Sequence, residues 1–427
     1  MIKKIIMSNA GPLGIAKILQ LFIPLITVPY LARIIGAEGL GKLAFSQALT
    51  TYFFLFTELG ISVYSTREVA VHLSDKQYIS KLMTNAFMIK CVFTIFTFLL
   101  ITISILYFPF FANIKLLLAA FAPSILSNTL MPHWYFQGQQ KMWRIAASNL
   151  IGALVYTVGI FVFVKTHSDT IVVVIITTVS TFFSLAYSLY LVKKDGISFL
   201  SLSLIDINFA LTTLKRAFPL YLSTVLGAIY TNIYVVFLGF VASEKTVGYY
   251  SAAERIIKAL LGIESVLGMS FYPHLSKIYA YNRSRFLKEI GKTSLVTLLF
   301  SIMICLTVLF SSSLIIKVIY GNDFQDSISI LRILCLLLPI LAINDIGGTQ
   351  FFLPMEMKSK FLMATSIGLS VSALSTYYFS MLFSGNGTAL AYLSAEVSIS
   401  IFMVFSIYRT IKNNFASPQN DSLKTLV

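Results

Sequence analysis

Apolar runs of about 20 residues, the length that crosses a bilayer as an α-helix, recur along the whole of this 427-residue chain. About twelve can be delimited, near 12–33, 40–64, 83–108, 115–137, 145–165, 170–192, 217–241, 248–272, 293–316, 327–350, 360–383 and 388–408. The expected fold class is therefore all-α, a polytopic membrane protein with about twelve transmembrane helices. Composition agrees. Only 11% of residues are charged and 57% are hydrophobic, whereas a soluble domain carries roughly 25% charged residues. An aromatic share of 14% suits lipid-facing helices with aromatic belts at their ends. The start, Met1-Ile2-Lys3-Lys4, resembles that of a signal peptide. The apolar stretch that follows is too long for one and has no small-x-small cleavage site, so it is expected to stay as the first span.

The net charge of +15 is not gathered into a basic recognition helix or tail, which argues against nucleic acid as a partner. The charges lie in short segments between apolar runs, as the positive-inside rule requires. With the N-terminus in the cytoplasm, 21 Lys and Arg fall inside and 6 outside, so both termini are expected to be cytoplasmic. Cys91, Cys305 and Cys335 are scattered within expected helices and read as packing residues rather than a disulfide or metal framework.

The outer loops are all short, and the longest inner loop, Lys193–Arg216, falls at mid-chain. It carries Ile205, Phe209 and Leu214 and reads as an interfacial amphipathic connector. Gly41-Lys42-Leu43-Ala44-Phe45-Ser46-Gln47 has a faint counterpart in Gly248-Tyr249-Tyr250-Ser251-Ala252-Ala253-Glu254. The expected organisation is two parallel halves of six helices each, 1–205 and 206–427.

Enzyme signatures are missing. Gly291-Lys292-Thr293 lacks the first glycine of a phosphate loop, which Phe286 replaces. His72, His133, His167 and His274 are too far apart in sequence to suggest a metal site or nucleophile–base pair. No enzymatic activity and no cofactor are expected.

Ionisable residues inside the spans are more informative, since a charge at bilayer depth costs several kcal/mol unless it meets water or a partner. They are Lys17, Glu58, Lys90, Glu254, Arg255, Lys258, Glu264, Arg332, Asp345 and Glu396. Ser251, Arg255, Lys258, Gly262 and Ser265 recur at helical spacing and share one face. Such a stripe is expected to line an aqueous cavity and attract an anion such as phosphate. Glu254, four residues before Lys258, is placed to pair with it and leave Arg255 freer. The alternative is that these charges only neutralise one another within the bundle. Lys17, Gln20, Pro24 and Thr27 make a similar face in the first span, whose prolines permit bending. Lys17, Lys42 and Lys90 equally suit snorkelling to the interface. Glu396, Glu58, Glu264 and Asp345 are candidate proton or cation sites, or buried neutral acids with hydrogen-bond partners.

Four segments carry a resemblance. They are Pro29-Tyr30-Leu31-Ala32-Arg33-Ile34-Ile35-Gly36 through Gly39 and Gly41; Trp134-Tyr135-Phe136-Gln137-Gly138 with Lys141-Met142; Val247-Gly248-Tyr249-Tyr250-Ser251-Ala252-Ala253-Glu254-Arg255 with Pro273; and Leu331-Arg332-Ile333-Leu334 with Asn344 and Gly347. Ser65-Thr66-Arg67-Glu68 adds to them. Together, and in this order, they resemble the O-antigen and polysaccharide flippases (Wzx type) of the multidrug/oligosaccharidyl-lipid/polysaccharide exporter superfamily. The resemblance implies two six-helix bundles around a central cavity that opens alternately to either side. The implied substrate is an undecaprenyl-pyrophosphate-linked oligosaccharide, moved from the cytoplasmic to the periplasmic leaflet of a bacterial inner membrane. It also implies neighbours such as a polymerase and a chain-length regulator. Cavity cations would engage the pyrophosphate. That role maps to Arg255 and Lys258, then Lys17, Arg33 and Arg332, with Ser251 on the same face. Tyr221, Tyr230, Asn232 and Tyr234 are candidates for contacting sugar, and interfacial packing is the alternative for the tyrosines.

Three alternatives remain. A glycan polymerase or ligase would need catalytic groups in a large outer loop, and Lys317–Asp326 offers only Asp323 and Asp326. A multidrug cation exporter would need a dominantly acidic cavity. A flippase for lipid II shares most of the features above.

Overall fold

The computed structural model describes the backbone of residues 2–415. It describes side chains from Ile26 onward, except those of residues 223, 224, 226, 266, 267, 269, 284, 414 and 415. Regular structure among the described residues is helical throughout. The elements are α1 Ile2–Glu58, α2 Ile61–Val71, α3 Lys76–Tyr107, α4 Lys115–Thr129, α5 His133–Gly138, α6 Met142–Phe163, α7 Thr170–Lys194, α8 Ile207–Val241, α9 Glu244–Tyr281, α10 Arg283–Ile319, α11 Ser327–Leu334, α12 Leu337–Asp345, a π-helical stretch Ile346–Phe352, and α13 Lys358–Phe415.

Every expected span has a helical counterpart. α1 holds the first two, separated at Gly36, whose φ of 69° and ψ of −177° form a backbone state essentially reserved for glycine. α13 holds the last two, separated at Ser384. Three spans are more broken than the apolar pattern suggests. The second ends at Glu58 instead of 64, because Leu59 and Gly60 take positive φ. Gly60 lies so close to α8 that a Cβ there would collide with the Ala217 carbonyl oxygen. The fourth divides into α4 and α5, since Pro132 has no N–H for a helical bond and disfavours helix at the residue before it. The tenth divides into α11, α12 and the π-helix. Pro339 offers the Cys335 carbonyl no N–H, and that oxygen accepts from Leu338 N at 3.1 Å instead.

By length and composition, seven helices among the described residues are long and apolar enough to cross a membrane, and the bent pair Ile207–Leu222 and Gly227–Val241 makes an eighth. α3 shows how they are built. Val92, Ile95, Phe96, Leu99 and Ile103 are exposed, whereas Lys90, Thr94 and Thr97 are buried. The Thr94 and Thr97 hydroxyls donate to the carbonyls of Lys90 and Phe93 at 2.7 and 2.8 Å. Apolar outside and small polar groups inside is the distribution that lipid solvent favours.

The chain forms two compact units, Met1–Val236 and Phe237–Val427. The division between these units falls within α8. The connector and the first turns of α8 pack within the first unit. Lys81 Nζ donates to Asp206 Oδ2 at 2.7 Å, Asn85 Nδ2 to the Leu204 carbonyl at 2.9 Å, and Asp206 N to Asn85 Oδ1 at 2.9 Å. Ala210 and Ala217 join a core built on Trp134, Tyr135 and Phe136 of α5 with Ile79, Leu82, Met83 and Phe87 of α3. The expected amphipathic connector is thus held at its polar atoms, with Leu200, Leu202 and Ile207 exposed.

Candidate functional site

α9 is capped by Ser243, whose hydroxyl accepts from Thr246 N at 3.3 Å. Its first turns are clamped by α11 and the segment before it. Ser327 Oγ donates to the Tyr249 carbonyl and Tyr320 OH to the Ala252 carbonyl, both at 2.9 Å. The polar stripe is therefore graded. Ser251 is buried, Arg255 half-buried, and Lys258 and Ser265 exposed. Ser251 Oγ has no hydrogen-bond partner among the described residues. Lys258 Nζ lies 3.0 Å from Oε1 of the buried Glu254, although the angle does not make a hydrogen bond. No carboxylate among the described residues lies within ion-pair distance of Arg255. Its charge falls on the buried Tyr320 hydroxyl.

Further along α9, Glu264 is 6% exposed and accepts from Ser301 Oγ of α10 at 2.6 Å through Oε1. Asp345, at the end of α12, lies within electrostatic reach of it and accepts from Gln350 Nε2 at 3.1 Å. Glu264 Oε2 and Gln350 Oε1 are buried with no hydrogen-bond partner. An orphaned buried polar atom costs about 1–3 kcal/mol, more for a charged group. The neighbouring Asn344 reaches the other side of α12, where its Nδ2 donates to Glu396 Oε2 at 2.7 Å and its Oδ1 accepts from Ser400 Oγ at 2.7 Å. Three of the four expected carboxylates, Glu264, Asp345 and Glu396, are thus gathered around one α12–π junction. π-Helical segments in α-helices are frequent at functional sites. Gln350, Asn344 and Ser301 were not singled out as site residues from the sequence. The signal was three amide or acid side chains within seven residues of an apolar run, beside Gly347-Gly348.

Glu58 stands apart, in the first unit. Lys90 Nζ donates to Glu58 Oε2 at 2.8 Å, to Ser62 Oγ at 3.1 Å and to the Thr129 carbonyl at 3.1 Å. Lys90 is 1% exposed and Glu58 13%. Lys90 therefore ties α1, α2, α3 and α4 together and does not snorkel.

The remaining expected residues are dispersed. Arg33 is exposed, three residues before the Gly36 break. Arg332 is exposed, and its Nε donates to Ser312 Oγ at 2.8 Å. Lys17 lies outside the residues whose side chains are described. Of the tyrosines considered for sugar, Tyr234 is buried and Tyr221 packs against the first unit's core. Tyr230 and Asn232 are half-buried, and Asn232 Nδ2 is already bonded to the Ala228 carbonyl at 3.0 Å. The cysteines are less scattered than they looked, since the Cys305 and Cys335 sulfurs lie 4.0 Å apart, both as free thiols.

Comparison with known proteins extends this geometry. The chain is 26% identical over 386 residues to a protein of Escherichia coli (strain K12) named as an O-antigen transporter, covering 90% of this chain and 92% of that one. A Shigella dysenteriae protein of the same name is 24% identical over 385 residues, covering 90% and 95%. Among solved structures, the lipid II flippase MurJ in an inward closed conformation superposes with a TM-score of 0.76 at 18% identity, covering 92% of this chain and 87% of that one. An inward-facing multidrug resistance MATE family transporter of the MOP superfamily gives 0.71 at 14% identity, covering 93% and 97%. These two share the fold with this chain. Residues 6–279 match the polysaccharide biosynthesis protein family, and it is to this family that the chain belongs.

Proposed function

We propose that the protein is a flippase that moves an undecaprenyl-pyrophosphate-linked oligosaccharide, such as an O-antigen repeat unit, from the cytoplasmic to the periplasmic leaflet of a bacterial inner membrane. The observation that carries this reading is the match, over 90% of the chain, to two proteins named as O-antigen transporters. The geometry supports it through Arg255, a half-buried guanidinium on α9 with no carboxylate among the described residues to neutralise it. A pyrophosphate matches such a group in charge and in bidentate geometry. Lys258, one turn on, adds a second cation and shares it with Glu254.

In this proposal two halves, 1–205 and 206–427, alternate in access around a cavity. Arg255 and Lys258 hold the pyrophosphate, Ser251, Lys17, Arg33 and Arg332 assist along its path, and the polyprenyl tail stays in lipid. Glu264, Asp345, Glu396 and Glu58 are the candidates for a coupling ion. Both termini lie in the cytoplasm, and a polymerase and chain-length regulator act downstream.

The test is complementation of flippase-null strains with diverse repeat units. The expected result is restored surface polysaccharide in at least one, with lipid-linked units no longer retained inside. No restoration in any strain, despite good membrane expression, would contradict the reading.

A further inference from the structure

We propose that Lys360 and Arg409, at the end of α13 where its two limbs meet, hold the phosphodiester headgroup of one anionic phospholipid. The binding follows from local geometry and does not depend on the flippase reading.

α13 is a hairpin of two limbs. At Ser384 the backbone takes a φ of 48° and a ψ of −126°, and the limbs on either side run antiparallel. Near the turn the hydroxyls of Ser380 and Thr388 share a hydrogen bond at 2.9 Å, and Ser375 Oγ donates to the Ala391 carbonyl at 3.3 Å. At the far end Lys360 Nζ donates to Thr410 Oγ1 at 2.7 Å. This bond closes the hairpin and fixes the ammonium beside Arg409, which lies within electrostatic reach of it. The Arg409 guanidinium is held in its turn over the Phe405 ring, 5.1 Å from the ring centre. Lys360 is the third residue of α13, and Arg409 lies in its last two turns. Both therefore stand at the end of a membrane-length limb, where headgroups lie.

Two cations are thus brought together, and packing supplies no anion between them. Among the described residues, no carboxylate lies within ion-pair distance of Lys358, Lys360, Arg409 or Lys412. The Thr410 hydroxyl is already spent, since it accepts from Lys360 and donates to the Ser406 carbonyl at 2.7 Å. An ammonium carries three N–H donors, and the bond to Thr410 uses one. Like charges held together repel, and an anion between them turns that repulsion into attraction. A phosphodiester offers its two anionic oxygens to the planar guanidinium fork and to the ammonium beside it. The surface leading to the cations argues that this phosphate belongs to a lipid. Ile401, Phe405, Tyr408 and Lys412 recur at spacings of four, three and four, so they share one face of the second limb, and all are exposed. Leu362 and Met363 of the first limb are exposed as well. Apolar side chains that run up to a cluster of Lys and Arg match a molecule with acyl chains and an anionic head. A choline headgroup would set its own cation against Lys360 and Arg409, which selects a head of net negative charge.

The experiment titrates the full-length protein, delipidated in detergent, with phosphatidylglycerol or phosphatidylcholine and counts bound lipids by native mass spectrometry. The expected result is a first phosphatidylglycerol bound roughly thirtyfold tighter than phosphatidylcholine. That margin should be lost in Lys360→Gln/Arg409→Gln and kept in Lys193→Gln/Lys194→Gln, which removes equal charge from the first unit. Wild type with no preference for phosphatidylglycerol overturns the proposal whether or not the variants fold. So does a margin that persists in the folded Lys360→Gln/Arg409→Gln protein, or one lost equally in both variants, which would make it an effect of net charge. Inorganic phosphate that removes the wild-type margin at matched ionic strength would assign the site to a free anion and overturn the lipid. None of these readouts involves transport, so the site and the flippase reading fail separately.

Discussion

At the residue scale, Lys90 and Glu58 form a buried ion pair in the first unit. Removing one member of a buried ion pair leaves an uncompensated charge and costs about 3–5 kcal/mol. Lys90→Met should therefore lower the melting temperature in detergent markedly, and adding Glu58→Gln should recover most of the loss. A Lys90→Met protein that melts with wild type would show that the pair adds nothing. What could be read from the sequence here depended on spacing. Glu254 and Lys258 are one helical turn apart, so their pairing follows from periodicity alone. Lys90 and Glu58 sit on separate helices 32 residues apart, and only the packing of α1 against α3 joins them. The sequence alone therefore leaves Glu58 a candidate ion site or a buried neutral acid, and Lys90 a cation suited to the interface. The approach of Cys305 to Cys335 is hidden in the sequence for the same reason.

At the element scale, the short helix α5 is locked to the end of α7 by one carboxylate. Asp195 accepts a two-pronged contact from Arg144, a bond from Tyr135 OH at 2.9 Å, and has Lys141 Nζ at 3.7 Å. Burial pushes its carboxyl up, but the bonds from Arg144 and Tyr135 and the charges of Arg144 and Lys141 outweigh that and hold it below the ordinary carboxylate value. A depressed folded-state value means stability that is present above the unfolded value of about 3.9 and lost as pH falls through the folded one. Amide exchange of residues 133–139 should accordingly be faster in Asp195→Asn than in wild type at neutral pH, and the two should converge in acid. A difference that stays constant with pH would contradict this. The joint after α1 gives a second expectation. Gly60→Ala combines a strained positive φ with a collision against α8, so it should cost more than about 1 kcal/mol of stability, seen as a lower melting temperature. Hydropathy located each span but not these interruptions, because a helix broken at Gly60, Pro132 or Pro339 remains equally apolar along its length.

At the scale of the whole molecule, helix number and class were legible because lipid demands long apolar segments and leaves few other solutions. The anchoring of the connector was not, since contacts such as Lys81–Asp206 join residues 125 apart in sequence. The charge asymmetry of 21 Lys and Arg against 6 predicts cytoplasmic termini. Single cysteines in a cysteine-free background, one at Asp323 and one at Lys288, test it. In intact cells with a permeabilised outer membrane, an impermeant maleimide should label the first and spare the second. The opposite pattern would invert the topology.

The central claim, transport through a cationic site on α9, is tested most directly in proteoliposomes carrying a labelled undecaprenyl-pyrophosphate oligosaccharide in one leaflet. Appearance of the sugar in the other leaflet is followed with an impermeant reagent. A hydrogen bond to a charged group is worth about 1.5–3 kcal/mol, so losing two cations should slow transfer by roughly a hundredfold or more. The account predicts transfer well above protein-free vesicles for wild type and a return to that background for Arg255→Ala/Lys258→Ala. Equal rates for wild type and the folded double variant would contradict the site, and a wild-type rate no faster than empty vesicles, across several repeat units, would contradict the function.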